Sequence, residues 1–162
     1  MESTTTENLV QADHRRLLEA QRIVTNNSRW AAGLGLVPMP LLDWAAVTGF
    51  QIRMLHQLCR VYDVPYDKAR ATRYISALVG GYVPTTLGFS LGSLIKMVPI
   101  VGGAGFAAVA ATAYATTTAL GEIFIPFFEK GGTFGDFDPA HHKAPYDRAV
   151  KGSMHREPQV AT

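Results

Sequence analysis

The sequence predicts an all-α fold, and three observations carry that expectation. Apolar residues recur at spacings of three and four from Leu9 onward, the period of a helix with one buried face. Two Val-Pro corners, Val37-Pro38 and Val98-Pro99, interrupt long apolar runs where a helix cannot continue. Between Tyr74 and Phe128 the only charged residues are Lys96 and Glu122, so these segments are buried in a bundle or meet lipid.

Taken in order, Met1 to Glu7 is polar and Thr-rich and is expected to be disordered. An amphipathic helix follows, with Leu9, Val10, Asp13, Leu17, Ala20, Ile23 and Val24 near one face and Arg15, Arg16, Glu19 and Arg22 largely elsewhere. It reaches Trp30 before Gly33, Gly35 and the first corner weaken it. A second helix is expected over about Leu41 to Tyr62. Asp43 lies in its first turn, where the positive end of the helix dipole favours a carboxylate. Its first half (Trp44, Ala45, Ala46, Val47, Phe50) is apolar nearly all round, whereas its second half gathers Arg53, His56, Gln57 and Arg60 toward one side.

Asp63-Val64-Pro65 ends that helix, and the next, about Tyr66 to Val79, opens near Asp67 with Lys68, Arg70 and Arg73. Gly80-Gly81 and Pro84 break it. A further apolar helix is expected over about Thr85 to Val98, with Gly88 and Gly92 four apart in a small-xxx-small pattern suited to close contact. The last long helix, about Ala104 to Glu129, carries Ala and Thr before IFIPFF; Pro126 should kink it and Gly131-Gly132 should stop it. From Thr133 onward, Pro, His, Asp and Lys predominate, and a disordered tail is expected. The resulting division is a disordered stretch at 1–7, a helical-hairpin domain at 8–132 and a disordered tail at 133–162.

The helix, Val-Pro corner, helix unit occurs twice, which suggests two stacked apolar hairpins joined into a bundle after the N-terminal amphipathic helix. If both hairpins point the same way, the Arg-rich segments gather at the open end and the corners at the other. That asymmetry follows the positive-inside rule, with both termini cytoplasmic at a bacterial inner membrane. It also brings Asp43 and Lys96 to one end, where the two charges are expected to pair.

The composition bounds the function. A chain of 162 residues allows one domain of ordinary size, and a net charge of +2 is too small to point to nucleic acid. The single cysteine, Cys59, excludes an internal disulfide, and MESTTTENLV lacks the positive start of a cleaved signal. Tyr74 to Ile95 and Met97 to Gly121 each exceed the roughly 18 uncharged residues that nominate a span. Their Ala, Gly, Ser and Thr content makes insertion marginal, so a membrane helix and a helix inside a bundle both stay open.

Catalytic signals are missing, and neither an enzyme nor a cofactor is expected. Cys59 has no triad pattern, His56 lies on a polar helix side, and His141-His142 with Asp136 and Asp138 has no second shell to hold a metal. Asp43, Gln51, Lys96 and Glu122 are the polar residues that break apolar helices, either as an ion or proton path through an oligomer or as terminal electrostatics and structural hydrogen bonds. Gly88, Gly92, Gly102 and Gly105 are candidates for close helix approach. Arg15, Arg16, Arg22, Arg29, Arg70 and Arg73 are candidates for anionic lipid headgroups.

Val37-Pro38-Met39-Pro40-Leu41-Leu42-Asp43, then Gln51-x-x-Met54 and Leu58-x-x-x-Tyr62, resembles the first half of the YcjF-like domain of unknown function. Lys96-x-x-Pro99-x-x-Gly102, Thr118-Ala119-Leu120-Gly121 and Phe128-Glu129-x-Gly131 resemble its second half. The resemblance covers roughly Val24 to Gly132. It implies an all-α domain of paired hydrophobic hairpins, found in bacterial inner-membrane proteins and C-terminal to some Era-like GTPases. This chain departs from those fusions: it holds no G-x-x-x-x-G-K-[ST] loop, so a GTPase is expected only as a separate partner. The expected function is a non-enzymatic, membrane-associated module that self-associates or docks a partner. A soluble helical-bundle adaptor and an oligomeric ion or proton conduit are the alternatives.

Overall fold

The computed structural model describes the backbone of residues 2–34, 42–80 and 103–155, and the side chains of 7–34, 46–80 and 107–155. Five helices and no strand are found among the described residues: α1 (Glu2–Leu34), α2 (Leu42–Val61), α3 (Lys68–Val79), α4 (Gly103–Glu129) and α5 (Pro139–His155). The all-α expectation holds. The segment around the first corner and the whole expected helix from Thr85 to Val98 lie outside the described residues.

Local chemistry sets the helix ends. The Asp67 side chain caps α3 by accepting from the Arg70 N–H at 3.0 Å. α2 ends in a Schellman turn, in which the Val64 N–H donates to the Cys59 carbonyl at 2.8 Å and Asp63 takes a φ of 55°. α4 ends the same way: the Gly132 N–H donates to the Phe127 carbonyl at 3.1 Å, with Gly131 at φ 79°. The expected stop at Gly131-Gly132 therefore has a specific geometry. α4 runs through Pro126, which is exposed.

Cross-helix contacts fix the directions. The Asn27 amide of α1 donates to Gln57 of α2 at 2.8 Å, while Ala31 packs with Val47, so these helices are antiparallel. Thr118 of α4 donates to Ser28 of α1 at 3.0 Å, and Ala113 joins the Ala31–Val47 cluster, so α4 is antiparallel to α1 as well. α2 and α4 are consequently parallel, as the Gln51–Thr117 hydrogen bond and the Tyr62–Phe128 ring contact confirm. Leu34, Leu42 and Gly103, which flank the undescribed corners, therefore point to one end of the bundle.

The disordered-tail expectation is overturned over 133–155, and 156–162 lie outside the described residues. Phe134 and Phe137 are buried, and α5 runs back along α4 with Tyr146 and Val150 fully buried. The Tyr146 hydroxyl donates to the Thr116 carbonyl at 3.3 Å, and the Phe127 ring meets His142 edge-on, so α5 is antiparallel to α4. Asp138 caps this helix by accepting from the Ala140 N–H at 2.9 Å, and Pro139 occupies the first helical position, where a missing N–H costs nothing. Lys143 donates to the Leu78 carbonyl at 3.0 Å, covering the C-terminal end of α3. The start of the chain also differs from expectation, since α1 is helical from Glu2.

Two cores result. The main one is built from large side chains, among them Met54, Leu55, Leu58, Ile75, Leu78, Leu120, Phe124 and Tyr146. A small second cluster toward the corner end holds Ala31, Val47 and Ala113.

Candidate functional site

Between the two cores lies a seam of uncharged polar side chains. Asn27, Ser28, Gln51, Thr116 and Thr117 are all buried. Asn27 bonds Gln57, Ser28 accepts from Thr118, and the Gln51 amide donates to Thr117 at 3.3 Å. Among the described residues Gln51 Oε1 has no partner, and the same holds for Ser153 Oγ on α5. Each pair among α1, α2 and α4 meets through one such contact, which fixes axial register because a shifted helix would strand a buried polar group. Gln51 is thus a structural hydrogen-bonding residue, one of the two roles its sequence position allowed.

Glu122 lies on the exposed stripe of α4, with Pro126 and Glu129, rather than in this seam. Asp43 falls in the first turn of α2, as the prolines imply, but its side chain and all of Lys96 lie outside the described residues. Gly88, Gly92 and Gly102 also lie outside them, and Gly105 is in the first turn of α4. The close approach that is described occurs at Gly121, where an added Cβ would collide with both methyls of Val24. Sequence spacing passed over this glycine because close approach belongs to a pair of helices, not to either one.

Arg15, Arg16, Arg22, Arg29, Arg70 and Arg73 are exposed, as expected of surface cations. Arg16 pairs with Asp13 at 3.9 Å and Arg70 with Asp67 at 3.3 Å, while Arg22 and Arg29 flank a shallow depression on the outer face of α1 with Leu18, Gln21, Thr25 and Asn26. His141 and His142 diverge. His141 Nδ1 meets the Asp138 carboxylate at 2.6 Å, whereas His142 Nδ1 faces the Asp138 carbonyl and its ring stacks on Phe137 at 4.4 Å. Hydrogen bonds from His141 and from the Ala140 N–H hold the Asp138 carboxyl below its ordinary range. Burial pushes the Cys59 thiol up to about 12, which leaves it protonated and a poor nucleophile. Burial first, and then the Glu129 carboxylate, push the Tyr62 hydroxyl up to about 12.

The described charges are unevenly placed along the bundle axis. Toward the corner end from Arg29 on α1, Arg53 on α2 and Glu122 on α4, the only charged residue described on these three helices is Asp43. In the opposite direction α1 carries both signs, α2 carries Arg53 and Arg60, and α4 carries Glu122 and Glu129. α5 modifies the expected asymmetry, because its antiparallel course brings exposed Arg148 and Lys151 alongside the Ala/Thr half of α4. Among the described residues, one helix, Ala107–Glu129, is long and apolar enough to cross a membrane by length and composition, and most of it is buried within the bundle.

Residues 3–150 match the profile of the family described as Domain of unknown function (DUF697). The chain belongs to this family. The match agrees with the YcjF-like resemblance and includes most of α5, so the C-terminal helix is part of the family's domain. The Magnetosome membrane protein 22 of Magnetospirillum gryphiswaldense is 34% identical over 119 residues, which cover 72% of this chain. The chain spans 61% of that relative's length. No solved structure matches.

Proposed function

We propose that this chain is a non-enzymatic, membrane-associated helical module whose corner end enters one leaflet of a bilayer. The observation that carries the reading is that α1, α2 and α4 shed charge toward the same end, where Asp43 is the only charged residue described on these three helices. Burying such an end in water-free surroundings costs little, whereas the Arg-bearing opposite half belongs in water. The similarity to a protein named as a membrane protein supports it. At a bacterial inner membrane the basic half faces the cytoplasm, and a chain that dips without crossing keeps both termini on that side. Anchored this way, the module self-associates or docks a partner protein, such as a separate GTPase, through its water-facing half.

Carbonate extraction of membranes from cells producing the tagged chain tests the reading. Retention in the pellet is expected, and release into the supernatant would overturn insertion. A second reading, a soluble bundle acting as an adaptor, draws on the burial of most of the apolar stretch of α4 beneath its neighbours. Release by carbonate together with monomeric elution without detergent would favour it. The conduit reading draws no support from the described interior, where the seam is built from uncharged groups and Glu122 faces outward.

A further inference from the structure

Resting on the membrane reading above, we infer that Arg29, Trp30, Arg53, Arg148 and Lys151 form a belt around the bundle that seats in the anionic headgroup layer of a phospholipid leaflet and so sets the depth of insertion. The register contacts put these residues at one height. Arg29 and Trp30 lie between Ser28, which accepts from Thr118, and Ala31, which packs against Ala113. Arg53 follows Gln51, the partner of Thr117, by two residues. Arg148 follows Tyr146, whose hydroxyl reaches the Thr116 carbonyl, by two residues, and Lys151 lies about one turn further on. Helices α1, α2 and α5 thus each present a cation within about one or two helical turns of Thr116–Thr117, and all four cations are exposed.

The shape of this set selects the partner. A protein partner contacts one side of a bundle, whereas a planar headgroup layer contacts every side at one height. Trp30 is 60% exposed at that height, about level with half-buried Tyr114, the residue after Ala113 of the Ala31 cluster, and this is the position an aromatic side chain takes at a membrane–water boundary. Two acidic residues lie near the belt. Asp147 accepts from Lys143 at 2.7 Å, and Glu122 lies about one turn toward the water-facing half. Lys151 has a stem long enough to carry its ammonium back to the headgroups, and His155 at the end of α5 is turned onto the Lys151 carbonyl at 2.8 Å.

The dimensions agree with a dip rather than a crossing. From Tyr114 to the start of α4 at Gly103 the helix rises ~17 Å at its usual pitch. One leaflet contributes about 15 Å of hydrocarbon. A belt held at the headgroups therefore puts the start of α4 near the bilayer midplane.

The test uses the purified full chain with vesicles of phosphatidylcholine alone or of equimolar phosphatidylcholine and phosphatidylglycerol. Trp44→Phe and Trp30→Phe separate the two tryptophan signals. Trp30 emission is expected to shift to the blue and to be quenched more by lipids brominated near the headgroup than by lipids brominated near the chain ends. Arg148→Gln with Lys151→Gln should weaken binding to the phosphatidylglycerol vesicles about 25-fold, at about fivefold per charge, and leave binding to phosphatidylcholine unchanged. The control pair Lys68→Gln with Arg73→Gln, exposed on α3, should change it far less. If the chain binds vesicles while Trp30 stays unquenched or is quenched chiefly from the chain ends, or if the control pair weakens binding equally, the belt is wrong and the membrane reading stands. If the chain binds neither vesicle, the membrane reading itself fails.

Discussion

The two halves of this bundle use the same helices and are built differently. In the water-facing half, Phe124, Phe128, Phe134, Phe137 and Tyr74 form a connected aromatic cluster, with Phe124 stacked on Phe137 at 4.5 Å and Tyr74 on Phe134 at 5.9 Å. Charged side chains cover its outside. In the corner half the buried cluster is Ala31, Val47 and Ala113, while Trp30 and Val109 are exposed. Large side chains in contact with one another bury much apolar area and supply most of the driving force for packing in water. Small side chains let backbones approach but bury little area, and at about 25 cal/mol per Å² such a contact adds little driving force in water. The difference places most of the buried apolar contact in one half and little of it in the other.

The largest test of this contrast is to end the chain after Gly132. That removes Phe134, Phe137 and α5 and uncovers Phe124 and Leu78, so the cooperative thermal transition should disappear and the chain should aggregate on size-exclusion chromatography. A monomeric chain with an unchanged melt would show that the water-facing core does not need the C-terminal helix. Next in size, Phe124→Ala should destabilise by ~3–5 kcal/mol in urea unfolding, in the range for buried aromatics. Val47→Ala in the small cluster should cost only about 1.5 kcal/mol, at about 0.8 kcal/mol per buried methylene. Equal losses at the two positions would break the comparison.

The seam between the halves is probed by Gly121→Ala, which drives a methyl group into Val24 and should cost about 1–3 kcal/mol as overpacking. Adding Val24→Ala should recover part of that loss, and a strictly additive double variant would show that the helices do not meet there. The smallest effect is expected at Trp30. Its exposed side chain predicts a stability change within about 0.5 kcal/mol for Trp30→Ala in detergent-free urea unfolding, while vesicle binding should weaken. A large loss of stability without vesicles would place Trp30 inside a protein contact instead.

Much of the fold was legible from the residues. The expected helix from about Leu41 to Tyr62 corresponds to α2 at Leu42–Val61, and that from about Ala104 to Glu129 corresponds to α4 at Gly103–Glu129. Prolines before each helix and a residue able to adopt positive φ after it act within a few residues of the boundary, so they can be read locally. α5 escaped because its two fully buried apolar residues, Tyr146 and Val150, sit among Lys, Asp, Arg and His, and Pro145 interrupts the pattern. Its start was signalled by Asp138-Pro139, an N-cap followed by a first-turn proline, and Phe134 and Phe137 just before it marked a chain that returns to the core.

The candidate site divides along the same line. That Gln51 interrupts an apolar helix and that arginines concentrate outside the charge-poor segments is visible in the sequence. That Gln51 faces Thr117, that Gly121 lies under Val24, and that Arg148 and Lys151 flank the Ala/Thr half of α4 is not. The sequence by itself determined α2 and α4, their ends and the loss of charge along α1, α2 and α4, because backbone preference and solvation are properties of short segments. Only the tertiary structure decided that α2 and α4 run parallel, that α5 covers α4, and that cations from separate helices come to one height. Those outcomes depend on the fit between surfaces far apart in the chain, which no single segment encodes.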